Sequence, residues 1–295
     1  MQSNTTSHKP DASILIRTKN EDKFIGKTLS VLFSQTYKNF EVLIVDSGST
    51  DNTLEVVQRY PVKIHEIRPE EFTWGYALNY GFRKAKGEYV VCLSAHALPL
   101  SDRWLETLIA NFDDGQVAAV ASRILPCPDC NPFDRRGLFK KYNLKKQELF
   151  EGPPFIFSNA ASVIRKSVWE KIHFDESLLA VEEEDWARKV RRINFKIMYE
   201  PGAKVYHSHN ESLRQIYKRH YELSHAFKLL EFQEFSTIGI LCDLFAGSFY
   251  DMLYVILKRD NLKWFFVAPL RRFAINYARY KAYRAADKNR MHKVG

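Results

Sequence analysis

Three stretches of this chain gather side chains able to do chemistry. In Phe40 to Thr53, FEVLIVDSGSTDNT, an apolar β-branched run stops at Asp46-Ser47-Gly48-Ser49, and Asp51 to Thr53 open a helical pattern. Open α/β sheets bind ligands at the carboxyl ends of their strands, so Asp46 stands where a bound molecule would be read; a turn-forming or helix-capping aspartate is the competing reading. A second buried run, Glu88 to Leu93, ends in Ser94-Ala95-His96-Ala97, small and polar residues expected on the same sheet edge. Glu182-Glu183-Glu184-Asp185 then crowd four carboxylates into the first turn of a helix running through Trp186 to Val190. Acids there complement the macrodipole, so a solvated helix start is the bland alternative. Cys127-Pro-Asp-Cys130 has the two-residue gap of a zinc or redox pair. No second Cys/His pair lies nearby at zinc-finger spacing, and the segment reads as a loop.

The elements that must carry these groups alternate along the chain. Ala12 to Ile16 form a short apolar strand ending in Arg17-Thr18-Lys19-Asn20-Glu21, followed by helical spacing from Phe24 to Phe33. Strands are expected at Val42 to Val45, Val62 to Ile67, Glu88 to Leu93 and Val117 to Ala121. Helices fall at Asp51 to Tyr60, Phe72 to Gly87 and around Trp104 to Ile109. Repeated βα units imply a parallel sheet with helices on its faces. Leu125 to Arg136 is rich in proline and turn residues and reads as a loop; Lys140 to Lys146 is mixed and basic. The run from Phe155 to Arg165 is strand-like but interrupted by small residues, as where a ligand or another element approaches closely. Phe195 to Tyr199 and Val205 to His209 alternate like edge or antiparallel strands, so the sheet is expected to be mixed. Beyond Glu211 the pattern is helical.

With 295 residues, 45% hydrophobic and 27% charged, the chain has the composition of an ordinary globular protein, which sets aside disordered and collagen-like classes. Residues 1 to 11 are polar and read as a flexible N-terminus. They lack the apolar core of a signal peptide, and no stretch of about 18 uninterrupted apolar residues occurs, so a cytoplasmic location is the default expectation. Four scattered cysteines do not make a disulfide framework. The net charge of +9 suits nucleic acid, anionic lipid or a phosphorylated substrate, and no nucleic-acid motif accompanies it. Residues 211 to 295 interleave apolar and aromatic runs with Lys and Arg, which fits either a helix in a membrane interface or a helical appendage packed on the domain or on a second copy.

The fragments ILIRTKNE, VLIVDSGSTDNT, AKGEYVV, LSAHALPLSDRWL, SNAASVIRKSVWEK, EEEDWARKV and VYHSHNESLR, in that order, resemble the nucleotide-sugar glycosyltransferases of the inverting family two with the GT-A fold, and most closely a rhamnosyltransferase-like branch. The resemblance runs from about Ala12 to Lys228. It implies a Rossmann-like, mixed but mostly parallel sheet flanked by helices in a catalytic domain over 12–210, with a basic, aromatic helical extension over 211–295. It further implies transfer of a hexose or deoxyhexose, rhamnose included, from a UDP- or dTDP-linked donor to a polysaccharide or lipid-linked acceptor. A cytoplasmic enzyme is expected with no nucleic acid as partner, and a lipid-linked acceptor would suit contact of the C-terminal helices with the inner face of the plasma membrane, packing on the domain or on a second copy being the alternative.

On this resemblance Thr18, Glu21 and Asp46 lie at the nucleoside, Asp46 accepting from a pyrimidine ring N–H, and Asn159 lies near the donor sugar or acceptor. Arg123 and Arg135 flank a loop on the acceptor side. Where the family places a metal-binding Asp-x-Asp, this chain has Ser94-Ala95-His96. Losing both carboxylates removes hard oxygen ligands. His96 with His207, the counterpart of the family's C-terminal histidine, would form a nitrogen-biased site preferring manganese to magnesium, or His96 would donate directly to phosphate. The acidic pair ahead of Trp186 falls on Glu182 and Glu183, with Glu183 as first choice of base and Asp185 as second. The departure at Ser94 and His96 also leaves open a degenerate domain that binds a nucleotide sugar or a partner without catalysis.

Overall fold

A computed structural model describes residues 9–142, 145–150, 156–232 and 236–294, with side chains through 286. The chain divides into two compact units: Met1–Leu125 with Lys141–Ser177 and Glu182–His207, and Pro126–Lys140 with Leu178–Val181 and Ser208–Gly295. Of the expected flexible N-terminus, residues 1–8 lie outside the described residues, as does Phe155 in the interrupted strand.

The first unit begins with β1 (Ala12–Thr18), α1 (Ile25–Phe33), β2 (Phe40–Asp46), α2 (Thr53–Val57), β3 (Lys63–Glu66), α3 (Trp74–Lys84) and β4 (Tyr89–Ser94). It continues through β5 (Leu98–Pro99), α4 (Trp104–Ile109) and β6 (Val117–Leu125), with α5 (Pro132–Lys141) at the boundary of the units. β7 (Gln147–Glu148), β8 (Ala161–Arg165), α6 (Lys166–Trp169), α7 (Glu182–Arg191) and β9 (Lys196–Tyr206) complete it. The sheet order is β3-β2-β1-β4-β8-β6-β9-β5, with β7 also on β9. β3, β2, β1 and β4 run parallel, and β6 with β9 does too; β8 is antiparallel to both neighbours.

Central strands covered on both faces need unbroken apolar runs. Ile14 to Ile16, Val42 to Val45 and Val90 to Leu93 supply them, all at most 2% exposed. α3 lies so close to β1 that a Cβ at Gly81 would meet the Leu15 side chain at 2.3 Å, which is why that helix carries glycine mid-span. The parallel register sets Thr18 beside Asp46 and Arg17 beside Ser94, so the ends of β1, β2 and β4 form one polar edge.

Two local expectations are corrected. The stretch read as a loop to Arg136 turns helical at Pro132, because proline's fixed φ and missing N–H suit a first helical turn. The two short strands expected at Phe195–Tyr199 and Val205–His209 are one strand, β9, which continues through Pro201-Gly202 and ends at Tyr206. A register shift absorbs the proline: Glu200 pairs with Ser122 and Lys204 with Arg123, leaving three residues bulged out of the ladder.

The second unit holds most of α5 together with α8 (Leu213–Leu229), α9 (Thr237–Leu257) and α10 (Lys263–Val294). Phe133, Val255 and Ala268 form a small apolar cluster with Met252, Trp264 and Phe265. Beside it runs a charged interior, in which Asp251 accepts from Arg136 and Arg272 while Asp243 accepts from Arg272, Asn276 and Arg279. α9, with a mean hydropathy of 1.6, is by length and composition long and apolar enough to cross a membrane, although Asp243 and Asp251 interrupt its apolar run.

Candidate active site

The polar edge is built from two βα turns hydrogen-bonded to one another. Asn20, at φ 56°, donates its backbone N–H to Ser49 Oγ at 2.9 Å and accepts from Thr50 N at 2.8 Å. Glu21 N donates to Thr53 Oγ1 at 2.7 Å, and Asp22 N to Asp51 Oδ2 at 3.2 Å. Gly48 makes the second turn feasible: its φ is +86°, and a Cβ there would sit 2.6 Å from Pro69 Cγ.

Asp46 is 1% exposed and organises this turn. Its Oδ2 accepts from Gly48 N at 2.9 Å and Ser49 N at 2.8 Å; its Oδ1 accepts from Thr18 Oγ1 at 3.1 Å and Ser49 Oγ at 2.5 Å. A carboxylate offers about four lone-pair sites, so all are engaged. Two of the donors are hydroxyls, whose protons rotate, and swinging Thr18 or Ser49 aside would free one acceptor site for a ligand N–H.

A cleft of about 160 Å³ opens above this edge, lined among others by Arg17, Thr18, Glu21, Trp74, Ser94 and His96. His96 Nδ1 lies 2.9 Å from Glu21 Oε1, and Ser94 Oγ is 3.4 Å from the same nitrogen. The His207 ring stacks on His96 with centroids 4.8 Å apart and planes 10° from parallel. Their nearest ligating atoms also lie within 4.8 Å, so the two histidines named in the sequence are neighbours. His209 follows two residues along the chain, at the start of the second unit. The donors that His96 and His207 offer are imidazole nitrogens, a chemistry that fits manganese or a softer ion better than magnesium.

The acids of α7 separate into distinct environments. Glu182 is 4% exposed and lies 3.7 Å from the Arg17 guanidinium, which also stacks over Trp74 at 4.8 Å. Glu183 is half-buried; burial and the neighbouring Glu182 carboxylate push it well above the ordinary carboxylate range, against the pull of Arg17. Glu184 is buried and pushed up to about 7, with Lys141 and Arg191 opposing that rise. Asp185, 1% exposed, is held by Lys189 at 2.5 Å and Arg188 at 3.3 Å. Its oxygens are engaged by these two cations, and this sets Asp185 apart from Glu183. Trp186 fixes the helix: it is fully buried, donates Nε1–H to Ile172 O at 2.7 Å, and packs on Phe157 and Phe174.

Asn159 lies in the turn before β8, next to Ala160, whose carbonyl accepts from Ser94 N. Its Oδ1 accepts from Ser162 Oγ at 3.3 Å, yet its Nδ2, in a residue 2% exposed, has no partner among the described residues. A buried amide donor left unpaired is costly and marks a place for a ligand acceptor. Arg123 sits at the β9 register shift in the first unit, whereas Arg135 belongs to the second and pairs with Asp260 at 2.6 Å. Cys127 and Cys130 close a turn, Cys130 N donating to Cys127 O at 3.0 Å. Sequence reasoning missed Arg17 and Trp74. The available signal was a cation inside a buried strand, one residue before its end, which needs a partner.

This chain belongs to glycosyl transferase family 2, whose family model matches residues 13–172, over half of its length. Its sheet and flanking helices are those of the GT-A glycosyltransferases. Among curated proteins it is similar to the O-antigen chain rhamnosyltransferase WbaN of Salmonella anatum, at 31% identity over 199 residues covering 64% of this chain and 62% of that one. It is also similar to the O-antigen chain rhamnosyltransferase RfbN of Salmonella typhimurium, at 25% identity over 222 residues, 71% of this chain and 70% of that one. The chain thus spans just under two thirds of WbaN. Among solved structures, the mannosyltransferase PcManGT of Pyrobaculum calidifontis, in complex with GDP-Man and Mn2+, matches with a TM-score of 0.63 and 17% identity over 95% of this chain and 88% of that one. Residues 1–349 of S. aureus TarS, in complex with UDP, match with a TM-score of 0.55 and 17% identity over 96% and 92%.

Proposed function

We propose that this protein is an inverting glycosyltransferase that moves a hexose or deoxyhexose, rhamnose in our reading, from a pyrimidine nucleoside-diphosphate sugar to a polysaccharide or lipid-linked acceptor in cell-envelope synthesis, working in the cytoplasm. The similarity to two O-antigen rhamnosyltransferases supports the sugar class. The observation that carries the chemistry is Arg17, which lines the cleft at the strand ends and at the same time contacts Glu182, so nucleotide cleft and acid cluster adjoin.

In this reading Thr18, Asp46 and Glu21 hold the nucleoside side, Ser94 and His96 face the diphosphate, and Asn159 offers its unpaired amide to a donor or acceptor oxygen. Glu183 takes the proton of the acceptor hydroxyl as that oxygen attacks the anomeric carbon, and the bond to the diphosphate breaks on the opposite face. A raised carboxyl pKa makes a stronger base, and the Arg17 charge opposes that rise. His96 and His207 would hold a divalent cation, manganese in preference to magnesium, which when bound would neutralise charge on the leaving diphosphate.

The test is nucleotide release and glycan transfer across a panel of UDP- and dTDP-sugars, with and without manganese, in the wild type, Glu183→Gln and Asp185→Asn. Glu183→Gln is expected to lose roughly 10²- to 10⁴-fold in kcat with donor affinity kept, and Asp185→Asn far less. The Ser94-Ala95-His96 sequence motivates a second reading, a domain that binds nucleotide sugar without turning it over. Nucleotide binding with no turnover of any donor would favour it and sink the first.

A further inference from the structure

The C-terminal helices α9 and α10 turn charged groups inward and large apolar side chains outward. In an ordinary amphipathic helix the apolar stripe faces the core and the charges face water. On α9 the buried positions are Ser248, Asp251 and Val255, and Asp243 is half-buried, with both acids taken by arginines and an asparagine of α10 and by Arg136 of α5. Its outward face carries Phe245, Phe249 and Leu257, at 72%, 64% and 70% exposure. α10 repeats part of this pattern, its polar groups buried among Ala268, Ile275 and Ala278. Arg271, Arg272, Asn276 and Arg279 turn inward, while Phe266, Leu270 and Phe273 point out at helical spacing, 65%, 55% and 57% exposed. Exposed apolar faces of this kind are interaction surfaces.

Charge selects the occupant. Residues 211–295 hold fifteen Lys and Arg against eight Asp and Glu, so most of the net charge of +9 lies here. Lys258, Arg259 and Lys263 stand exposed at the α9–α10 turn, beside exposed Leu257 and Leu262; Lys281 and Arg284 stand exposed past Tyr280 at the other end of the α10 stripe. A second copy of the chain would set this positive surface against itself. Aromatic and aliphatic residues framed by cations match the headgroup region of an anionic bilayer, where rings sit at the interface and lysines meet phosphate. Lying flat keeps Asp243 and Asp251 on the protein side with their arginines, whereas a spanning α9 would carry both into hydrocarbon.

We propose that the outward faces of α9 and α10 dock the protein, in the plane of the interface, on a bilayer rich in anionic lipid. This stands apart from the glycosyl-transfer reading, because vesicle binding needs no sugar donor and the two fail separately. The experiment is flotation of the full chain with phosphatidylcholine vesicles, with or without about one part in three phosphatidylglycerol. Partitioning onto the anionic vesicles is expected to exceed that onto neutral ones at least tenfold and to weaken in high salt. The double variant Phe245→Ser, Phe249→Ser should lose at least tenfold on both vesicles with an unchanged thermal melt, since neither ring is buried. The triple variant Lys258→Glu, Arg259→Glu, Lys263→Glu should lose only the anionic preference. Three results would overturn the proposal: wild-type protein that stays unbound, protein that resists alkaline carbonate extraction as a spanning helix does, or a dimer in solution that the phenylalanine variant splits.

Discussion

Arg17 and Glu182 lie 3.7 Å apart although 165 positions separate them in sequence, and their contact joins the end of β1 to the start of α7. The guanidinium is only 14% exposed, so its field reaches the neighbouring Glu183 with little screening by water. Arg17 therefore acts on the acid cluster from the side of the cleft.

Replacing Arg17 by Met should move the acid limb of the kcat/KM profile to higher pH. The cation lowers the Glu183 pKa, so its loss raises it, and a smaller fraction of the base is ionised at any given pH. The rate at pH 7 should fall about 10- to 100-fold, and Arg17→Lys should recover part of it. A profile that drops without shifting would show that Arg17 acts by another route.

Glu184 makes stability depend on pH in a definite direction. Its pKa rises from 4.5 to about 7 on folding, so the folded state holds more protons than the unfolded state between those values. The contribution is complete below 4.5 and lost as pH climbs through 7. Glu184→Gln should therefore be neutral at pH 4 and stabilise the fold at pH 8, by up to on the order of 3 kcal/mol, read as a higher melting temperature there. Equal effects at both pH values would contradict the shift.

Asn159→Leu separates a ligand contact from a structural one. With Nδ2 unpaired in a buried site, removing it should leave the melting temperature equal or higher, because an unsatisfied donor is lost. Affinity for the donor sugar or the acceptor should weaken about tenfold, or ~1.4 kcal/mol, by isothermal titration. A large drop in melting temperature with unchanged affinity would make Asn159 a folding residue.

Gly48→Ala should destabilise by about 1–3 kcal/mol, since positive φ and the contact with Pro69 both oppose a side chain. Denaturant unfolding measures it. The Asp46 acceptors are anchored through this turn, so nucleotide affinity should fall in parallel.

The polar edge at Asp46 and Ser94 was legible because buried strands announce themselves as β-branched runs and end where polarity returns. The acidic first turn of α7 was legible for a similar local reason. What stayed hidden was pairing across the chain. Nothing local says that Glu21 meets His96, that Arg17 meets Glu182, or that Asp185 spends its charge on Arg188 and Lys189 while Glu183 does not. The continuity of β9 was hidden for the opposite reason: Pro201-Gly202 is a strong local breaker, and only the ladder with β6 on either side overrides it. Asp46 showed both limits, since its place at the strand end could be read but the filling of its four lone pairs by its own turn and by Thr18 of β1 could not.

The hydrogen bonds that lace Asn20, Glu21 and Asp22 to Ser49, Thr50, Asp51 and Thr53 make two loops into one preassembled block. A loop that orders only on binding subtracts its conformational entropy from the affinity, about 1–2 kcal/mol for each residue fixed. Here that ordering was completed during folding, so a ligand arriving at the strand ends meets loops already in place and the cost of ordering them is not subtracted from its affinity.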